Sequence, residues 1–208
     1  SMEAFYSIVL STFPDNIYDY LWDFTPGHHL PNYIRYVNIA KTYPEQFLKD
    51  LETGYLREFF IYRQKGSYIL LFDDFFGIVI TMIKHNKKFV DENKKEIKSM
   101  MFNYLKDFEH YMENKYKEIV TGKEKFLTLN DTYREPLKYK EKILEIYEQI
   151  GEKEDIENIR KLAENIPLDY PVQETHKEYD EKNKNEYLQR VKEFQERVNA
   201  LIEKLSQQ

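Results

Sequence analysis

Six residues in the first third of the chain have the side chains that bind small anions. Guanidinium groups form paired hydrogen bonds with phosphate or carboxylate, and a neighbouring tyrosine ring offers a face for stacking. Two adjacent histidines lie in a loop rich in Pro and Gly. The set consists of His28, His29, Arg35, Tyr36, Arg57 and Arg63. It predicts a site for a nucleotide-like anion, with ordinary ion pairs between the arginines and nearby carboxylates as the structural alternative.

Patterns for metal binding and catalysis are weak. The chain has no cysteine, which excludes thiolate ligands and cysteine nucleophiles. Asp107 and His110 are three residues apart, but a carboxylate-bridged metal pair needs a second such motif, and none is convincing. Asp73 and Asp74 could supply a metal ligand or a general base beside the most apolar stretch. Glycine-rich phosphate loops and His-Glu-x-x-His are missing from the sequence. We therefore expect no cofactor and no metal, and binding rather than catalysis.

The elements that must position these residues follow from a break in composition near His85. Residues 1–85 hold 19 of the 33 aromatic residues but only 17 of the 68 charged ones. Aromatic side chains supply buried surface, whereas Lys and Glu remain in water. We predict an aromatic-rich helical core over 1–122. A charged helical hairpin and a C-terminal heptad helix are predicted over 123–208, packed on the core as one domain.

Helical spacing of apolar residues covers most of the chain. One helix is expected to start at Pro44, capped by the Thr42 hydroxyl, because Pro fits a first turn. Further helices are expected over 89–120, from Pro136 to a stop at Gly151, and over 156–166, followed by a polar connector over 168–184. The spacing indicates an all-α bundle of about six to eight helices. The Lys/Glu runs at 87–98, 138–148 and 176–197 are interpreted as solvated helix faces.

Residues 59–83 allow two interpretations. The segment from Tyr68 onward fits a helix that is apolar almost all round and therefore central and buried. Its β-branched and aromatic residues also fit a small antiparallel sheet. We favour the helix because every flanking segment has helical periodicity.

The C-terminal segment has the cleanest pattern. Six apolar residues alternate spacings of four and three over about three heptads, which is typical of a helix-packing seam. They are Tyr187, Val191, Phe194, Val198, Leu201 and Leu205. The seam predicts either packing on the chain's own domain or pairing with a partner helix or a second copy.

Charge and hydropathy narrow the function classes. The net charge of −6 and the pI of about 5.5 argue against a nucleic-acid partner. The longest apolar stretch is about half a membrane span, and no secretory segment is visible, so we expect a cytoplasmic protein without a membrane partner. We expect a non-enzymatic binding or regulatory protein, such as an adaptor, inhibitor or scaffold, that acts on a protein partner through helical surfaces. A protein or enzyme for a small anionic ligand is the alternative.

Overall fold

The computed structural model describes residues 40–52, 68–103 and 131–208, together with positions 38, 106 and 110. The chain divides into two compact units, Ser1–Met100 and Met101–Gln208. Regular structure in the described ranges is helical throughout, with no strand, so the all-α prediction is confirmed. The predicted boundary at 122/123 lies outside the described residues and stays a prediction.

Helix α1 of the first unit spans Pro44–Glu52. Pro44 occupies the first helical position, as expected of a residue that has no N–H to donate. The carbonyl of Tyr43 accepts the first helical hydrogen bond, from the Phe47 N–H at 3.1 Å. The cap position is therefore Tyr43 rather than Thr42. Phe47 and Leu48 are buried and direct this helix toward the core of the unit.

Helix α2 spans Tyr68–His85, which confirms the helical interpretation of this segment over the sheet. From Phe76 onward its buried side chains form one broad apolar side of the helix: Phe76, Ile78, Val79, Ile80, Met82 and Ile83. Thr81 donates its hydroxyl to the Gly77 carbonyl at 2.8 Å, which satisfies this polar group inside the helix. The helix therefore supplies much of the buried apolar surface among the described residues of the first unit.

Two asparagines interrupt the next helical stretch. Helix α3 spans Lys87–Glu92, and helix α4 follows over 94–103. Asn86 donates its amide to the carbonyls of Ala40 and Met82, each at 3.2 Å, and so ends α2 and holds the chain segment before α1. Asn93 donates to the Phe89 carbonyl at 2.8 Å. The expectation of one continuous helix from residue 89 is wrong because Asn side chains compete with the backbone for these hydrogen bonds.

Helix α5 opens the described part of the second unit and spans Asp131–Ile150. Pro136 lies inside this helix, so the prediction that it opens the helix is wrong. The ring of Tyr133 contacts the rings of Tyr170 and Tyr187, and these contacts hold the helical turn that precedes Pro136. The predicted stop at Gly151 is confirmed, since the helix ends at Ile150. A Cβ at position 151 would lie 2.4 Å from the Tyr147 carbonyl oxygen, so this close approach requires glycine.

A short return leads from α5 to the long C-terminal helix. A 3-10 turn, Lys153–Asp155, precedes helix α6, which spans Ile156–Leu162. A second 3-10 turn, Glu174–His176, precedes helix α7, which spans Lys177–Ser206. The polar connector predicted over 168–184 therefore ends at residue 173, immediately before the second 3-10 turn.

The early start of α7 depends on one buried carboxylate. Asp180 accepts a hydrogen bond from the Gln173 N–H at 2.8 Å and so holds the preceding turn against the helix. Lys98 and Asn183 are also buried. For these three residues the interpretation of the Lys/Glu runs as solvated faces is wrong.

Candidate functional site

The residues predicted to bind a small anion lie outside the described part of the chain. The anion site therefore stays a prediction. The residues concerned are His28, His29, Arg35, Tyr36, Arg57 and Arg63.

The predicted seam of α7 is buried within the second unit. Each of its six side chains, from Tyr187 to Leu205, is at most 6% exposed. Helix α7 contacts both α5 and α6. The seam is thus covered by the chain itself, and a partner of the folded unit has to contact other positions on α7.

Two ion pairs fix the register between α5 and α7. Arg190 pairs with Glu141, and Arg197 pairs with Glu148. The two residues of each pair are 49 positions apart in the chain. Since a step of seven residues along α7 matches a step of seven along α5, the two helices run in the same direction. In the heptad that the seam defines, each arginine lies immediately before an apolar seam residue. Interhelical ion pairs are common at such flanking positions.

A groove of about 690 Å³ lies beside these ion pairs. Helix α5 supplies six of its lining side chains and helix α7 supplies two. Among the residues that the structure describes, the eight that line it are all charged: Arg134, Glu135, Lys138, Glu141, Lys142, Glu145, Arg190 and Arg197. A lining of five cations and three carboxylates has an excess of positive charge, in a chain whose net charge is −6.

The cations of α5 form a row along the groove. Arg134, Lys138 and Lys142 are four residues apart, and residues at this spacing lie on the same face of a helix. Charges of both signs in the lining are already engaged, since Arg190 pairs with Glu141 and Arg197 pairs with Glu148. The groove therefore presents both N–H donors and carboxylate acceptors.

Three tyrosines hold the connector of residues 163–173 against the two helices. The ring of Tyr170 lies 5.6 Å from that of Tyr133 on α5 and 5.2 Å from that of Tyr187 on α7. The Tyr187 hydroxyl donates to the Pro167 carbonyl at 2.6 Å. Burial raises the pKa of Tyr187 to about 12, and the neighbouring Tyr133 adds to the effect. This cluster stabilises the unit in its neutral, protonated form.

A fourth tyrosine lies near the end of α5. The ring of Tyr147 is 5.6 Å from that of Phe102, and its hydroxyl is buried with no hydrogen-bond partner among the described residues. Burial raises the pKa of Tyr147 far above its usual value, and the charge of Asp155 raises it further. Tyr147 therefore stays protonated at physiological pH and is unsuited to accept a proton in catalysis.

Two further sequence candidates stay predictions. Asp73 and Asp74 lie in α2, and His110 is an exposed helical residue, whereas its predicted partner Asp107 lies outside the described residues. In residues 40–52, 68–103 and 131–208, no three His, Cys, Asp or Glu side chains cluster as metal ligands would. Nor does any helix in the described part have the length and apolarity needed to cross a bilayer.

A second groove, of about 460 Å³, lies in the first unit at the start of α1. Residues 42–46, Lys49 and Phe89 line it. Its charged side chains are one glutamate and one lysine, so it offers no net charge to a ligand. The groove of the second unit has the more distinctive chemistry.

Comparisons with protein-family models, with curated proteins and with solved structures found no match to this chain. The candidate site is therefore assigned from geometry alone. Sequence reasoning missed the groove because four of its six α5 residues fall in the run at 138–148, which was interpreted as a solvated face. The available signal was the shared seven-residue spacing of Glu141 and Glu148 and of Arg190 and Arg197.

Proposed function

We propose that this chain is a non-enzymatic binding protein of the cytoplasm, an adaptor or regulator that engages a polypeptide partner. The contact surface is the groove between α5 and α7. The observation behind the proposal is the groove's lining, in which all eight side chains are charged. Arg and Lys donate and Glu accepts, which suits recognition of a charged polypeptide surface.

Fixed geometry supports this assignment. The two Arg–Glu pairs hold α5 and α7 in one register, and the tyrosine cluster holds the connector against both helices. A surface whose shape is set before binding loses less conformational entropy when a partner docks. The groove is therefore suited to a partner that adapts to it.

The seam has a different place in this proposal. Its six apolar side chains are covered by α5 and α6 of the same chain, so pairing through the seam requires the second unit to open. Engagement through the charged groove requires no such opening. The groove is for this reason the surface that we assign to the partner, whether that partner is another protein or a second copy.

The proposal is tested by neutralising two groove cations. Lys138→Gln together with Lys142→Gln removes two charges and keeps residues of similar helix propensity. The control is Lys182→Gln with Lys192→Gln, two exposed lysines of α7 that do not line the groove. We expect the wild-type chain and the control variant to capture polypeptides from cell extract that the groove variant does not capture. Identical captured sets for all three proteins would refute the groove as the contact surface.

A further inference from the structure

We propose that the connector of residues 163–173 is displaced from α5 and α7 by an extended, tyrosine-containing segment of a partner polypeptide. In the closed state the connector occupies a binding surface, which the partner segment takes over. The rings and hydrogen bonds that hold the connector involve none of the residues that line the charged groove. The inference therefore goes beyond the proposed function and does not depend on it.

One buried side chain anchors the connector. Among the described residues 163–173, Tyr170 alone is buried, and its ring packs against the rings of Tyr133 and Tyr187. A hydrogen bond from the Tyr187 hydroxyl to the Pro167 carbonyl adds to this anchor. Segments with few buried apolar contacts open at a lower free-energy cost than a whole domain. The connector is therefore able to leave while the helices remain folded.

The two ends of the connector are held differently. At its start, Asn165 has a φ of 55°, in the left-handed region, which is a strained conformation for a residue with a Cβ. The Glu164 carbonyl beside it accepts an exposed hydrogen bond from Lys140 at 3.4 Å. At the far end, the Gln173 N–H donates to the buried Asp180 of α7 at 2.8 Å. Displacement relieves the strain at the start, so that end is the hinge.

Helices α5 and α7 keep their register when the connector leaves. The ion pairs Arg190–Glu141 and Arg197–Glu148 join the two helices directly. The ring and hydroxyl contacts of the connector reach α7 at Tyr187, which precedes both arginines in the chain. The surface beneath the connector therefore keeps its shape for another occupant.

Displacement uncovers two aromatic rings and two hydrogen-bond donors. The rings of Tyr133 and Tyr187 lie 6.2 Å apart, edge to face, and the Tyr187 hydroxyl is released to donate to another carbonyl. One turn earlier on the same face of α7, Asn183 is 9% exposed. Its Nδ2 atom is buried without an acceptor among the described residues. Aromatic rings with donors beside them suit a polypeptide that offers a ring and backbone carbonyls.

The connector itself shows which segment fits this surface. Pro167 and Pro171 fix their own backbone dihedrals and restrict the residue before each of them to an extended conformation. Tyr170 precedes Pro171, so its ring projects from an extended backbone. A partner segment with tyrosine before proline has the same shape: its ring takes the place between Tyr133 and Tyr187, and its carbonyls face the two donors. Such a segment loses little conformational entropy on binding.

A labelled synthetic peptide with the sequence of residues 164–174 tests the inference by fluorescence anisotropy with the full chain. A second peptide carries Ala at the position of Tyr170. The Tyr170→Ala chain lacks the anchor of its own connector and keeps the surface, so it is expected to bind the tyrosine peptide at least about tenfold more tightly than the wild type. Leu168→Ala is the matched control in the same connector. It is expected to bind as the wild type does, because Leu168 is 59% exposed.

Hydrogen exchange of the wild-type chain gives an independent measurement. The Gln173 N–H, which is bonded to Asp180, is expected to exchange at least about tenfold faster than the amides of buried helical residues such as Ile143 and Val191. Exchange of all these amides at one rate would show that the connector opens only when the whole unit unfolds, which would overturn the inference.

Equal affinity of the wild type and Tyr170→Ala for the tyrosine peptide would also overturn it, as would equal affinity of Tyr170→Ala for the two peptides. Circular dichroism of each variant checks that the helices remain. Tyr170→Leu, which keeps a large apolar side chain, takes the place of Tyr170→Ala if the alanine variant does not fold. The capture experiment with the groove lysines is separate, so failure of either proposal leaves the other standing.

Discussion

Replacing Tyr187 with Phe tests whether the tyrosine cluster stabilises the second unit through its neutral phenol. The substitution keeps the ring between Tyr133 and Tyr170 and removes only the hydroxyl. That hydroxyl donates to the Pro167 carbonyl at 2.6 Å, and Tyr187 is 1% exposed. Near neutral pH we expect the variant to be less stable by about 1 kcal/mol, the usual net value of one hydrogen bond.

The effect reverses at high pH because of the direction of the pKa shift. Burial raises the pKa of Tyr187 from 10.0 to about 12 in the folded chain. Below pH 10 both states keep the proton, and the stabilisation is complete. Between these two values the unfolded state loses the proton first, so the free energy of unfolding falls as pH rises. At about pH 11 the loss is about 1.4 kcal/mol, and the Phe variant does not undergo it.

Urea unfolding followed by circular dichroism at about pH 7 and about pH 11 measures both quantities. All other titratable groups are common to the two proteins, so the difference between wild type and variant isolates the Tyr187 hydroxyl. We expect the wild-type advantage of about 1 kcal/mol to disappear or change sign at the higher pH. Tyr179→Phe is the matched control, since Tyr179 is 64% exposed and its variant should follow the wild type throughout. A difference for Tyr187→Phe that is the same at both pH values would refute the assigned role of the phenol.

Two backbone positions give further predictions. Gly151→Ala is expected to destabilise the chain by about 1–3 kcal/mol, because the new Cβ would lie 2.4 Å from the Tyr147 carbonyl oxygen; a thermal midpoint equal to that of the wild type would contradict this. Asn165 has a φ of 55°, in the left-handed region. We expect Asn165→Ala to lower the free energy of unfolding by about 1 kcal/mol and Asn165→Gly to leave it nearly unchanged, and equal losses in both variants would show that the backbone conformation is not the cause.

The sequence favoured a helix for Tyr68–His85 without excluding a sheet. A segment that is largely apolar apart from Asp73 and Asp74 fits both a buried strand and a buried helix, because it has no polar face that would show its period. Length separates the two: α2 continues for 18 residues, beyond ordinary strand length. Its consecutive buried side chains, such as Ile78, Val79 and Ile80, form one broad apolar side, wider than the stripe of a surface helix. The asparagine interruptions were not predicted, because a side-chain hydrogen bond to the backbone leaves no mark on apolar periodicity.

The seam and the groove differ in what information each requires. The seam of α7 is a property of one helix, so its spacing alone predicts which side chains are buried. The groove depends on which residue of α5 lies opposite Arg190, and therefore on the direction and register of two segments that are 49 residues apart. The path of the chain through α6 sets the relative direction of α5 and α7, and this direction cannot be predicted from the spacing of residues in either helix. A run of Lys and Glu has the same pattern whether it faces water or another charged helix. Such a run can be interpreted as a solvated face only when the residues opposite it are known. Here the residues opposite it are Arg190 and Arg197 of α7, and together they line the candidate groove.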